Sequence, residues 1–257
     1  IINLLQLMPG EIIQAVIPVE EFREDHYLVI STKQGLIKKT PLPEYESIRV
    51  TGKSAITLRE GDEVVGVMLT DGEHEILLGS LSGKSIRFHE EDVRPMGRTA
   101  MGVKGMDIGK EDAIIGMERI VAGLDILVIT ELGYGKRTPE EEYRCQNRGG
   151  KGILTLNVTE KTGSVVAMKV VEDADDLMII NSQGIIIRIS AEGISRMGRN
   201  TQGVRLMRVP GGEKVVSVAK VREEEDAEIE DEENGTVAGE TEEDVTETEE
   251  DGTEEKE

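Results

Sequence analysis

The chain has 257 residues, enough for one large domain or two small ones. Hydrophobic residues make up 37% and aromatics 2%, with no Trp, so a core must be built from Val, Ile, Leu and Met. A net charge of −22 speaks against a polyanionic partner until the charge is located. No run reaches the roughly 18 uncharged apolar residues of a spanning helix, so no membrane partner is expected.

The chain begins on Ile1-Ile2-Asn3, with neither Met nor a signal-peptide pattern, which points to a piece of a longer protein. GEIIQAVIPV follows, a short apolar strand around Ile12-Ile13. LVISTKQGLIKKT from Leu28 then sets two apolar runs about a turn at Gly35, a β-hairpin signal. A Gly- and cation-bearing stretch, VTGKSAITL, comes next, and GDEVVGVML repeats the Ile12-Ile13 strand at Val64-Val65.

This three-part unit recurs. The second copy reads ILLGSLSGKSIRF from Ile76, MGRTAMGVKGMDI and EDAIIGMERI. The third reads ILVITELGYGKRT from Ile126, NRGGKGILTL and GSVVAMKVV, with at most one helical turn between Pro139 and Arg144. The fourth reads LMIINSQGIIIRI from Leu177, MGRNTQGVRLM and EKVVSVAKV. The turn glycines Gly35, Gly83, Gly133 and Gly184 are spaced by 48, 50 and 51, and a cation follows each by four residues: Lys39, Arg87, Arg137, Arg188. Four full units plus part of a fifth, each with about four strands, predict an all-β, propeller-like fold.

Residues 1–222 form this repeat domain and hold 32 acidic against 29 basic residues, nearly neutral. Residues 223–257 hold 20 acidic residues and one Lys, with too few apolar side chains to offset chain entropy, and are expected to be a disordered acidic tail. That tail either solvates the chain or mimics a polyanion and competes for basic surface.

Catalytic chemistry is not expected. Cys145 is the only cysteine, so no intrachain disulfide can form, a reducing cytoplasm is the expected compartment, and nothing nearby supplies a base for a nucleophilic thiol. His26 and His74 hold equivalent places before strands, and His89 lacks a second ligand at metal spacing. Glu90-Glu91-Asp92 reads as a solvated turn, Met96, Met101, Met106, Met197 and Met207 read as core filler, and no GxxxxGK[ST] loop is present.

The series INLLQLMPGE, HYLVISTKQGLIKKTPL and GYGKRTPEEEYRCQNRGGKG resembles the C-terminal domain of the DNA gyrase A protein, over essentially Ile1 to Arg222. The resemblance implies a β-pinwheel of six blades that wraps DNA on its rim, and an acidic tail is typical too. Asn147 stands where the family's signature box carries Arg, and one full repeat follows it, so Gln146 to Gly152 is read as the related loop of the fifth blade. The first blade would lie upstream. The implied partners are duplex DNA, the N-terminal domain of the gyrase A protein and the gyrase B protein, in a cytoplasmic A2B2 parent. No cofactor is implied for this segment; ATP and Mg2+ would be used elsewhere in the holoenzyme. Within the same class stands the C-terminal domain of the topoisomerase IV A protein; outside it, a protein-interaction propeller, against which the absence of any Trp-Asp signature counts.

Wrapping requires many phosphate contacts along a curved surface, because bending the duplex costs on the order of 1–6 kcal/mol. The candidates for contact are Lys38, Lys39 and Lys53, then Arg87 and Arg98, then Lys136, Arg137, Gln146, Arg148 and Lys151, and then Arg188 and Arg199. Lys33, Arg49, Lys84, Arg94, Lys104, Arg144, Arg196 and Arg205 extend the set. Gly149, Gly150 and Gly152 would let main-chain N–H groups approach phosphate. Near-absence of aromatic side chains argues against single-strand stacking.

Overall fold

The computed structural model describes residues 10–47 and 52–221. Arg49 and the acidic tail lie outside the described residues. The first hairpin is β1 (Tyr27–Thr32) and β2 (Leu36–Pro41), joined through Gly35 at φ 85°, and β3 (Val64–Thr70) pairs with the other side of β1. The second unit supplies β4 (Glu75–Ser80), β5 (Lys84–His89), the two-residue β6 (Val103–Lys104) and β7 (Ile114–Arg119). The third supplies β8 (Asp125–Thr130), β9 (Tyr134–Pro139), β10 (Ile153–Leu154) and β11 (Val165–Val171). The fourth supplies β12 (Asp176–Asn181), β13 (Ile186–Ser190), β14 (Val204–Arg205) and β15 (Val215–Val221).

The sheet orders are β3-β1-β2-β6, β10-β5-β4-β7, β11-β8-β9-β14 and β13-β12-β15. The all-β blade architecture expected from the four full units is present, but the strand expected around Ile12-Ile13 is not formed, and one sequence unit is not one blade. Each of the first three blades takes its outer strand from the following unit, in the pairs Leu36↔Lys104, Ile153↔Ser85 and Val204↔Gly135. The Gly-rich second element is too short to build a sheet of its own, and the open edge of the preceding hairpin has unpaired amides that it satisfies. The fourth sheet has three strands among the described residues, and Ile186 on β13 stays 52% exposed.

The core lies between consecutive sheets. Ile76 and Leu78 pack with Val29, Ile37 and Phe88, whereas Leu77 between them packs with Ile126, Val128 and Tyr143 on the other side. A sheet buried on both faces needs a continuous apolar run, which is why these strands do not alternate with polar residues. Each such buried side chain contributes about 1.5–3 kcal/mol. Short 3-10 turns follow the hairpins at Leu42–Tyr45, Glu90–Asp92 and Glu140–Glu142, the last within the single turn expected there.

Candidate nucleic-acid interface

The Gly-rich second elements run along the outer blade edges and hook onto one another. In the last three of the four, one arginine donates Nη1 to a carbonyl of the preceding element: Arg98 to Ser54 at 3.2 Å, Arg148 to Lys104 at 3.0 Å, and Arg199 to Leu154 at 2.8 Å. Main-chain bonds join the same segments, from Asp107 N to the Gly150 carbonyl at 2.9 Å and from Asn157 N to the Thr201 carbonyl at 3.0 Å. The loops thus form a strap that passes from blade to blade. Arg98, Arg148 and Arg199 sit at its equivalent joints, each partly exposed. Arg98 also lies 3.9 Å from the Glu44 carboxylate and Arg199 4.0 Å from that of Glu142; a guanidinium has five N–H donors, so each still keeps some for an external anion.

Four cations expected on the surface lie inside: Lys38, Lys39, Lys136 and Arg137 are buried, because the exchanged element covers β2 and β9. Lys38 donates to the carbonyls of Ala55 and Arg98, and Lys136 to those of Gly198 at 2.6 Å and Arg199 at 2.7 Å. Burial, reinforced by the nearby arginine, pulls both ammonium groups down to about 8. These lysines hold the loops that carry Arg98 and Arg199 and have no open path to a phosphate.

In the first three blades the cation four residues after the turn glycine is a clamp to the next blade. Lys39 donates to the Glu90 carbonyl at 2.9 Å and lies 3.8 Å from the Glu90 carboxylate. Glu90 is therefore not in a solvated turn. It is fully buried and accepts from Thr70 Oγ1 at 2.7 Å and from His74 N at 2.8 Å. Arg87 pairs with Glu140 at 2.5 Å and with Glu75, and donates to the Tyr143 carbonyl at 3.1 Å. Arg137 donates to the Ile194 carbonyl at 3.1 Å and pairs with Asp173. Arg188 belongs to the last described blade and pairs with Asp176 of its own sheet at 2.5 Å.

The Gln146–Gly152 loop is built differently from expectation. The Gly149 N–H donates to the Gly105 carbonyl at 2.6 Å and is not turned outward. Gly152, at φ 69°, is required by packing, since a Cβ there would stand 2.4 Å from the Ser85 carbonyl oxygen. Gly150 rests over Ile86, and Gln146 N donates to the Arg87 carbonyl at 2.8 Å. The exposed groups along the edges include Arg94, Lys104, Arg144, Lys151 and Arg196, with Lys53 half-buried; Lys104 pairs with Asp107 and Arg196 with Asp125, each at 2.7 Å. Lys161 and Arg208, which no repeat pattern singled out, meet Arg205 beside Tyr134 at the turn of the third blade.

Each of the four units also matches a known family. A family model described as the DNA gyrase C-terminal domain, a beta-propeller, matches residues 26–71, 74–120, 124–172 and 175–222. The chain belongs to that family. The DNA gyrase A protein of Staphylococcus aureus (strain MRSA252) is 44% identical over 237 residues, 91% of this chain and 27% of that protein. The DNA gyrase A protein of Clostridium acetobutylicum is 47% identical over 247 residues, 96% of this chain and 30% of that protein. The chain thus spans less than a third of the length of these relatives. Among solved structures, the C-terminal domain of a DNA topoisomerase IV matches with a TM-score of 0.82 at 28% identity, covering 86% of this chain and 69% of that one. A DNA gyrase A C-terminal domain matches with a TM-score of 0.76 at 24% identity, covering 85% and 73%, and shows the fold.

Within this gyrase-family fold, other reactive groups are tied into structure. The Cys145 thiol is pushed up by partial burial and by Glu75, away from the thiolate that a nucleophile needs. Burial also raises Tyr143. Asp71, His74 and Glu90 bring ligand atoms within 4.8 Å of one another, a spacing that could hold a metal. Both Glu90 oxygens are already engaged, however, and Arg119 Nη1 stands 3.3 Å from His74 Nε2, placing positive charge where a cation would sit. Among the described residues no helix is long and apolar enough to cross a membrane.

Proposed function

We propose that this chain binds duplex DNA along the outer straps of its blades, without reading base sequence, and bends it as the wrapping module of a cytoplasmic DNA gyrase. The carrying observation is the strap itself, with Arg98, Arg148 and Arg199 at three equivalent joints and one or more exposed cations beside each. Evenly repeated cations on a stepped surface suit a polymer of evenly repeated phosphates, and such contacts position the duplex without specifying bases. Sequence membership in the gyrase C-terminal family supports the same assignment. In the parent enzyme the module would present a DNA segment to the N-terminal part of the gyrase A protein. The gyrase B protein would supply ATP hydrolysis, and the outcome would be negative supercoiling by an A2B2 assembly.

The test is a salt titration of binding to duplexes of increasing length. Wrapping gives affinity that rises with length and a log–log salt slope of about −0.9 per phosphate neutralised. Binding without length dependence or salt slope would return the fold to protein interaction. The likeness to the topoisomerase IV domain favours a second reading as the module of that enzyme. The full-length parent, assembled with its partner protein, separates the two by whether it introduces negative supercoils into relaxed circles.

A further inference from the structure

The turn ends of the blades differ in one respect that bears on ligand binding. The residue two before each inner-strand apolar pair is Asp62, Asp112, Gly163 or Glu213 in the four units. In the first two blades this carboxylate caps the hairpin turn: Asp62 accepts from Gln34 N at 2.9 Å, and Asp112 from Ser82 N at 2.9 Å. In the fourth, Glu213 accepts from Asn181 at 2.6 Å. The third blade alone has Gly there, and its turn is held instead by a bond from Leu132 N to the Thr162 carbonyl at 3.2 Å.

Where the acid is missing, cations gather. A cleft of about 470 Å³ is lined by Leu132, Tyr134, Lys161, Arg205, Arg208 and Val209. Lys161, Arg205 and Arg208 are exposed, and none forms an ion pair with a carboxylate among the described residues. Tyr134 is buried beneath them. Its hydroxyl accepts from Arg205 Nη2 at 2.8 Å, which leaves its own proton to donate. The ring carries Lys161 Nζ 5.4 Å and the Arg205 guanidinium 5.3 Å from its centroid. The buried ring offers no open face for stacking a base, and the cleft presents charge and N–H and O–H donors. The corresponding cleft of the second blade contains Lys84 and Lys110, but also Glu111 and Asp112. Three cations converging without a counterion repel one another, and a tetrahedral oxyanion relieves that repulsion while accepting from all of them.

We infer that the cleft formed by Tyr134, Lys161, Arg205 and Arg208 is a phosphate-binding site, and that it seats a backbone phosphate of DNA lying along the outer edge of the third blade. The second clause rests on the wrapping function proposed above. Arg205 lies on the exchanged strand β14, so the cleft continues the line that runs from Arg199 along the same edge toward the turn.

The experiment uses the full chain and the double variant Lys161→Ala, Arg208→Ala, both exposed side chains whose loss leaves the sheets intact. Duplex affinity is measured from low to moderate salt, with Lys110→Ala as the control in the second-blade cleft. The expected result is a salt slope shallower by about one in the double variant, at roughly 0.9 for the phosphate no longer neutralised, and no change in the control. A wild-type slope retained by the double variant overturns the placement of DNA in the cleft while leaving wrapping in place. If the wild type shows no salt-dependent duplex binding, the wrapping function falls, and the cleft is tested with inorganic phosphate by 31P line broadening. Broadening that disappears in the double variant sustains the phosphate site; its absence in the wild type overturns that too. Phosphate binding without any change in the DNA slope overturns the placement of DNA.

Discussion

Arg148 ties the strap of one blade to that of the blade before it, donating Nη1 to the Lys104 carbonyl at 3.0 Å while Nε donates to the Asp92 carbonyl at 2.8 Å. Its fork geometry and its charge therefore serve different ends. Arg148→Lys preserves the charge and loses the two-point hold, because an ammonium is a point donor on a flexible stem. The expected outcome is a loss of about 1–3 kcal/mol in stability from the charged hydrogen bonds, with the salt slope of DNA binding almost unchanged. Arg148→Ala loses the same stability and also flattens the slope. Urea denaturation and salt titration on the two variants check this, and a fully stable Arg148→Ala protein would show that the joint does not bear on folding.

The residue beneath each strap loop differs with the loop. Lys38 lies under MGRTAMG and Lys136 under MGRNTQG, whereas Ile86 lies under QNRGGKG against Gly150. A Gly-Arg loop turns carbonyls inward, and a buried ammonium satisfies them; the Gly-Gly loop packs onto an aliphatic side chain. Lys136→Met should cost about 1–3 kcal/mol by stranding two buried carbonyls. Ile86→Lys should cost at least as much, by burying a charge without acceptors. Replacing residues 197–203 with the residues of 146–152 in a Lys136→Ile background should recover part of the loss. Denaturation midpoints across this set decide the matter, and a swap that recovers nothing would mean that the two layers are not matched.

Much of this arrangement was legible in the repeats. Turn glycines at even spacing, apolar pairs and the absence of helical periodicity announced four sheets, and the residues quoted for the gyrase resemblance carried the family. What the repeat could not disclose was which blade each second element covers. A strand such as Val103–Lys104 has two residues and no pattern of its own, so its pairing with Leu36 and Ile37 depends on the three-dimensional path. From that one unknown came the misplacement of the cations. Lys38, Lys39, Lys136 and Arg137 look like surface charge in sequence because their strands look like edges, and they are buried because another unit lies over them. The same strand exchange explains why the QNRGGKG glycines serve close packing. The cleft at Tyr134 was hidden for a different reason: it is defined by Gly163 standing where the other units have an acid, a signal visible only once the units are aligned on their inner strands.

Stability should rise, not fall, as the pH climbs above 8. The two buried lysines ionise at about 8 in the folded chain against an ordinary value of 10.5. Between those values the unfolded chain holds protons that the folded chain has released, so the free energy of unfolding increases with pH through that window. A neutral amine still has two N–H groups, which match the two carbonyls facing each lysine. Chemical denaturation of the full chain at pH 7.5, 8.5 and 9.5 should show midpoints moving upward relative to a Lys38→Met, Lys136→Met variant. Equal pH slopes in the two proteins would show that these ammonium groups keep their ordinary affinity for protons.

Alanine at two glycines separates the cost of conformation from the cost of strand exchange. Gly184 has φ 79° and nothing within 4 Å of the place a Cβ would take, because no exchanged strand covers the fourth hairpin among the described residues. Gly133, the equivalent in the third blade, has φ 77°, but there a Cβ would stand 2.3 Å from the Met207 carbonyl oxygen. Gly184→Ala should therefore cost only the left-handed penalty, about 1–2 kcal/mol. Gly133→Ala adds a clash with main chain that cannot swing aside, and overpacking of that kind contributes a further ~1–3 kcal/mol. The difference between the two variants in denaturant midpoint measures how firmly the exchanged strand is seated on β9. If both lose the same stability, the strand gives way easily, and the third blade is held by its hairpin and inner strand alone.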